Sequence, residues 1–125
     1  LRLESPVQSL MRATAKSVEL SGVTIPAGSL INIRFAAANR DERRFESPDM
    51  LDLERPRAGG HMAFGSGKHH CLGAPLARRE LYWSFKALVD RIESMRFAEG
   101  KNDFRYHPHY LLRAMKSLHI EFIAK

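Results

Sequence analysis

Residues 61–75 read HMAFGSGKHHCLGAP, and they place the only cysteine of the chain, Cys71, between a glycine-rich turn and the start of a helix. The two glycines of the turn allow backbone conformations that other residues avoid. Gly73 leaves no side chain at a point where a large flat group could pack, and Pro75 suits the first turn of a helix. Backbone N–H groups and partial positive charge at a helix start favour a thiolate over a thiol. The stretch therefore predicts an anionic sulfur at position 71.

The residues after Cys71 show the clearest helical pattern in the sequence. Apolar residues recur there at helical spacing, while charged residues fall on the other side. The apolar set is Ala77, Leu81, Phe85, Leu88 and Ile92. We expect a helix from about Ala74 to about Ile92, with Leu81, Phe85 and Leu88 in the core.

Residues 14–33 show the pattern of strands and turns. Val18 and Leu20 alternate with polar residues, and Gly22 permits a tight reversal, so this part predicts a β-hairpin. A proline and a glycine within residues 26–28 indicate a second turn, and an extended run follows it.

The remaining segments are less regular. Residues 36–38, three alanines, favour a short helical turn. Residues 39–70 show no sustained period and predict a long meandering loop. A connection of this length is unusual inside a compact domain, and binding of a cofactor is our preferred reason for it. After the long helix we expect a loop and C-terminal strands.

Composition narrows the class of protein. The 125 residues are 44% hydrophobic, which is typical of a globular domain. A single cysteine cannot form an internal disulfide, and we find neither an 18-residue apolar run nor a signal-peptide pattern, so we expect a soluble, cytoplasmic protein. The net charge is +6, but basic residues are mixed with acidic ones throughout the chain, so a dedicated nucleic-acid-binding arm is not expected.

The chemistry of Cys71 taken alone leaves several functions open. A thiolate in this setting is a nucleophile, a redox sensor or a metal ligand. A small zinc-binding module would use His61, His69 and His70 beside the cysteine, although neighbouring positions do not easily converge on one tetrahedral ion. A basic domain that binds nucleic acid is the second alternative.

The spacing around Cys71 resembles the haem-binding loop of the cytochrome P450 family, in which Phe, two residues, Gly, three residues, Cys, one residue and Gly follow one another. The matching residues are Phe64, Gly65, Gly67, His69, Cys71 and Gly73. The pattern is specific, and every fixed position is filled.

The resemblance extends over nearly the whole chain. Further similar positions are Arg12, Gly22, Ile25–Gly28 and Ala38–Asp41. Leu1 and Arg2 resemble the end of the family's Glu-x-x-Arg helix, so we expect a truncation there, with the glutamate just upstream of Leu1. The resemblance implies that residues 1–125 are the C-terminal part of a single cytochrome P450 domain of the bacterial soluble type, a fold that is mainly α with small β-sheets.

The resemblance also implies a cofactor and its ligands. Cys71 would be the axial ligand of the iron of haem b, iron protoporphyrin IX. Arg12 and His69 would hold the haem propionates. Phe64 would pack beside the sulfur and limit access of solvent, and Gly65 and Gly73 would complete the cofactor-binding residues.

The implied enzyme is a haem-dependent monooxygenase that inserts one oxygen atom from dioxygen into an organic substrate. Segments 7–10 and 110–112 match those that line the substrate pocket. Lys68, Arg78 and Arg79 would form a cationic patch for an acidic electron donor such as a ferredoxin or flavodoxin. Because the long central helix of the family is not in these 125 residues, we expect the chain alone to be inactive.

One position departs from the family pattern. Many relatives carry an arginine after Pro48 and Asp49, which pairs with the Glu-x-x-Arg residues, but this chain has Met50. Methionine cannot donate a hydrogen bond to a carboxylate. We therefore expect another group, such as Arg55, to replace that pairing, or the pairing to be absent.

Overall fold

A computed structural model describes residues 1–56 and 60–125 of the chain. These residues form two compact units. The first comprises Leu1–Ala63 and His109–Arg113, and the second comprises Phe64–Pro108 and Ala114–Lys125.

Short antiparallel strands shape the first unit. Within its described residues they are β1 (Ser9–Ala13), β2 (Val18–Leu20), β3 (Val23–Ile25) and β4 (Leu30–Arg34). Strand β1 pairs with β4, and β2 pairs with β3. The predicted hairpin and second turn are confirmed, since Gly22 and Gly28 sit at the two turns with φ of +78° and +79°, a region that glycine enters without steric cost.

Strand β1 is not among the predicted elements. Its sequence, SLMRA, contains no β-branched residue and no clean alternation of apolar and polar side chains. The strand forms because its backbone pairs along its whole length with β4, in a register that sets Arg12 opposite Ile31. This long-range pairing leaves no local trace in the sequence.

Helix α1 (Phe35–Ala38) confirms the predicted helical turn, and a buried asparagine follows it. The Asn39 side chain is fully buried. Its Nδ2 donates to Ser5 Oγ at 2.8 Å, and its Oδ1 accepts from the Met62 N–H at 2.6 Å. Asn39 therefore joins three segments of the first unit: the N-terminal segment, α1 and the residues that precede the glycine-rich turn.

The predicted meander is confirmed over the residues that the structure describes. Between 40 and 56, and between 60 and 66, these residues form neither an α-helix nor a strand. A 3-10 turn, Gly67–His69, comes just before the cysteine. Residues 57–59, which also belong to the predicted loop, lie outside the described residues.

The second unit contains the long helix and a two-stranded sheet. Helix α2 (Ala74–Arg91) begins where predicted, and β5 (Ile92–Phe97) pairs antiparallel with β6 (Ile120–Ala124). The helix ends at Arg91 because Ile92 takes extended backbone angles and starts β5. The expected C-terminal strand is thus confirmed, and its partner follows α2 without a loop.

The expectation that Leu81, Phe85 and Leu88 lie in the core is wrong for this chain. Their side chains are 39%, 63% and 38% exposed, and Ala74 is the buried residue of α2. The physical reason is that no other helix of the described second unit lies against this face of α2. The apolar stripe on α2 is regular, but its burial needs a second surface.

Candidate functional site

The cysteine loop, residues 64–73, closes on itself through the backbone. The Cys71 N–H donates to the Phe64 carbonyl at 2.8 Å, and the His70 N–H donates to the Gly67 carbonyl at 3.0 Å. Gly65 and Gly67 have φ of +70° and +65°, in the left-handed region. A side chain at either position would strain the turn, so the loop needs both glycines.

The loop leads directly into α2. Ala74 N–H donates to the Cys71 carbonyl at 3.2 Å, and Ala77 N–H donates to the Gly73 carbonyl at 2.9 Å. Gly73 occupies the N-cap position of the helix and provides no side-chain cap, and Pro75 lies in the first turn. Cys71 therefore sits immediately before the helix start, as predicted.

Cys71 is an exposed residue. A Cβ added at Gly73 would lie 3.8 Å from the cysteine Sγ, in ordinary van der Waals contact with it. Glycine at this position thus keeps one flank of Cys71 open, which agrees with the reason that the sequence suggests for it.

Phe64 is half-buried, and its neighbours include His70 and Arg78. The His70 ring lies 6.4 Å from the Phe64 ring, centroid to centroid, with 51° between the planes. The Arg78 guanidinium carbon lies 4.7 Å from the Phe64 ring centroid, within the range of a cation–π contact. The sequence predicts Arg78 only as part of a cationic patch and gives no sign of this contact.

The two residues expected to hold propionates fall in different units. His69 is exposed and ends the 3-10 turn of the cysteine loop, in the second unit. Arg12 is half-buried on β1, in the first unit, and its Nη1 donates to the Met11 carbonyl at 2.8 Å. Phe64, Gly65, His69, Cys71 and Gly73 therefore share one loop, whereas the joint role of Arg12 and His69 stays a prediction.

Arg2 and Arg55 meet in the meander, at the position where the sequence departs from the family pattern. Arg2 donates to the carbonyls of Asn39, Pro48 and Met50 at 2.8, 2.6 and 3.3 Å. Arg55 donates to the Met50 carbonyl at 3.4 Å, so the two guanidinium groups share one acceptor. Partial burial, and then the neighbouring charges of Arg55 and Arg40, lower the pKa of Arg2.

Arg55 is therefore beside Arg2, where we expected a replacement for the missing arginine. Its buried Nε has no hydrogen-bond acceptor among the described residues. Met50 contributes only its backbone carbonyl, and its side chain is 63% exposed. Whether Arg55 replaces the missing arginine in the pairing with the family's glutamate stays a prediction.

The zinc alternative has no support in the geometry. Among residues 1–56 and 60–125, no three His, Cys, Asp or Glu side chains are grouped closely enough to hold a metal ion. Within the same residues, no helix has the length and apolar character needed to cross a membrane.

Comparison with known proteins identifies the family. The family model named Cytochrome P450 matches residues 1–118. "Putative cytochrome P450 140" of Mycobacterium tuberculosis is 47% identical over 98 residues, which are 78% of this chain and 22% of that protein. "Cytochrome P450 107B1" of Saccharopolyspora erythraea is 42% identical over 119 residues, which are 94% of this chain and 29% of that protein.

Solved structures give the same result. Mycobacterium marinum cytochrome P450 CYP150A6 in the substrate-free form has a TM-score of 0.95 and 39% identity, with 99% of this chain and 32% of that chain covered. The tirandamycin C-bound P450 monooxygenase TamI has a TM-score of 0.91 and 42% identity, with 98% and 31% covered. The chain spans about a third or less of the length of each of these proteins. The chain belongs to the cytochrome P450 family.

Proposed function

We propose that the protein carrying this chain is a haem-dependent monooxygenase, in which the Cys71 thiolate binds the haem iron and one oxygen atom from dioxygen enters an organic substrate. The observation that carries the proposal is an exposed cysteine, held by a glycine-rich loop directly before α2, in a chain of the cytochrome P450 family. The site residues, the substrate class and the partners belong to this proposal.

The cysteine loop suits a flat ligand such as haem b. Nothing lies within 4 Å of a Cβ added at Gly67, and Gly73 keeps the flank of the sulfur free. A thiolate is a soft ligand that iron accepts. When haem is bound through such a sulfur, it supplies the oxygen activation, because the thiolate donates electron density that favours O–O cleavage.

The protein residues would bind and orient the cofactor. The Arg12 guanidinium and the His69 imidazole are donors suited to the two propionate carboxylates. The hydrogen bond between the Cys71 N–H and the Phe64 carbonyl fixes the backbone that carries the sulfur. Phe64, Gly65 and Gly73 would shape the contact with the ring system.

Two segments of the first unit would contribute to the substrate pocket. Val7 and Leu112 form an isolated antiparallel bridge, and the Gln8 N–H donates to the Leu111 carbonyl at 2.8 Å. The segments 7–10 and 110–112 therefore lie side by side, which supports the proposal that both contact one substrate. Leu112 is 44% exposed and offers an apolar surface, which favours an organic substrate.

The electron donor would dock on the cationic patch formed by Lys68, Arg78 and Arg79. All three belong to the second unit, and all three are exposed. A ferredoxin or flavodoxin is the class of acidic, one-electron donor that such a surface attracts. The cytoplasmic location expected from the sequence stays a prediction.

The test uses the complete protein with its cofactor. Reduction under carbon monoxide should give the red-shifted Soret band of thiolate ligation, and Cys71→Ala should abolish that band, while Leu72→Ala, at the neighbouring 97% exposed position, should retain it. Arg12→Ala and His69→Ala should keep the band but weaken haem binding by on the order of tenfold each, because each removes a hydrogen bond to a charged group. An unchanged spectrum in Cys71→Ala would overturn the proposal.

A further inference from the structure

Phe64 is connected to the cysteine in one direction and to helix α2 in the other. Its backbone carbonyl accepts the Cys71 N–H at 2.8 Å. Its ring lies under the guanidinium carbon of Arg78, 4.7 Å from the centroid. A side chain on the second turn of α2 is thus linked, through a single residue, to the backbone of the proposed ligand.

The contact uses features that are specific to arginine. A guanidinium is planar and stacks on an aromatic face, whereas a lysine ammonium is a point charge. No carboxylate of the described residues pairs with Arg78, so its charge is not already committed to an ion pair. Phe64 is half-buried, whereas Arg78 is exposed.

We propose that Arg78 is a positioning residue for the cysteine loop: by stacking on Phe64 it holds the carbonyl that accepts the Cys71 N–H, and thereby fixes the sulfur for haem. The inference rests on the proposed function for its consequence at the haem. The stacking of Arg78 on Phe64 is a contact between the cysteine loop and α2, and it does not involve haem. It differs from the attraction of an electron donor, which would use the charge of Arg78 and not its contact with Phe64.

A matched pair of variants separates positioning from charge. Arg78→Gln removes the stacked cation, while Arg79→Gln removes an equal charge from the next residue, which is exposed and outside this contact. In the complete haem-loaded protein, hydrogen exchange measured by mass spectrometry should show faster exchange at the Cys71 amide in Arg78→Gln, by about two- to fivefold. Arg79→Gln should exchange like the parent protein, and Arg78→Lys should lie between the two.

A double-mutant cycle with Phe64→Leu tests the route of the effect. Leucine keeps apolar volume but removes the aromatic face, so Arg78→Gln should add nothing in that background. The reduced carbon monoxide spectrum is the second readout, and Arg78→Gln should lose more of the thiolate band over time than Arg79→Gln does. Equal behaviour of the two glutamine variants, or an undiminished effect in the Phe64→Leu background, would overturn the role of Arg78.

The two proposals fail in different ways. A parent protein that gives no thiolate band would refute the haem function, yet the amide exchange of Cys71 would still report whether Arg78 holds the loop. A normal band, with no difference between Arg78→Gln and Arg79→Gln in either readout, would refute the positioning role alone.

Discussion

At the scale of single residues, glycine determines what surrounds Cys71. A Cβ at Gly65 would lie 3.5 Å from the His69 carbonyl oxygen, and φ at that position is +70°. Gly67 is open in space but has a positive φ as well, so its constraint comes from the backbone alone. These two glycines were predictable, because a tight turn before a ligand requires such freedom. Arg78 was not, since its contact with Phe64 depends on the three-dimensional path from the loop into α2.

Asp103 and Arg105 allow a pH prediction at the same scale. Arg105 Nε and Nη2 donate to the two carboxylate oxygens of Asp103 at 2.8 Å each, and this side-chain hydrogen bonding is the main cause that lowers the pKa of Asp103 to about 2. Arg105→Gln should raise the carboxyl titration midpoint towards the ordinary value of 3.8. Carbon-13 NMR of the labelled carboxyl groups measures this midpoint.

The sign of the pH effect follows from the lowered pKa. The ionised form of Asp103 accepts the hydrogen bonds, so the stabilisation by this pair is fully present above the ordinary pKa of 3.8 and is lost as the pH falls through about 2. Arg96→Gln is the control, because Arg96 pairs with Glu121 instead. A midpoint that stays near 2 in Arg105→Gln would contradict the assignment.

At the scale of elements, local patterns predicted some parts and long-range pairing decided others. The start of α2 was predictable from Gly73 and Pro75, which mark a helix beginning. The hairpin of β2 and β3 was predictable from alternation around a glycine turn. Strand β1 was not, because it forms by pairing with β4, which lies beyond the β2–β3 hairpin in the sequence.

Asn39 provides the prediction at this scale, since it joins separate segments of the first unit. Asn39→Ala removes both side-chain hydrogen bonds, and it leaves the Met62 N–H and the Ser5 hydroxyl without those partners. We expect the free energy of unfolding to fall by roughly 2–3 kcal/mol. Denaturant unfolding of the complete protein measures the change.

Asn32→Ala is the matched control for Asn39→Ala. The Oδ1 of Asn32 is buried but has no hydrogen-bond partner among the described residues, so its removal breaks no acceptor bond. Its cost should be clearly smaller than that of Asn39→Ala. Equal losses of stability in the two variants would show that Asn39 does not join the segments as described.

At the scale of the whole molecule, many large apolar side chains of the described residues are exposed. Helix α2 presents the predicted stripe of Leu81, Phe85 and Leu88 at 39%, 63% and 38% exposure. Helical periodicity predicted which residues share the apolar face, but it could not predict whether anything covers that face. Burial depends on segments that lie far apart in a chain, and the relatives are about three times as long.

This exposure leads to a prediction for the 125 residues produced alone. They should bind the dye ANS strongly, unfold without a sharp transition and give no thiolate band, because extensive apolar surface faces water. The complete protein, at the same concentration, is the comparison and should bind little dye. Cooperative unfolding of the short chain without dye binding would show that the exposed faces are compatible with a stable fold.

The N-cap of α2, Gly73, has no side-chain cap, and this has a consequence for attempts to stabilise the protein. Serine or aspartate at position 73 would supply the side-chain cap that Gly73 lacks and strengthen the helix by about 1 kcal/mol. The same hydroxyl or carboxylate would intrude on the sulfur's flank, 3.8 Å away already at the first carbon. A screen for thermal stability alone would therefore favour variants that have a more stable helix α2 but bind haem less well.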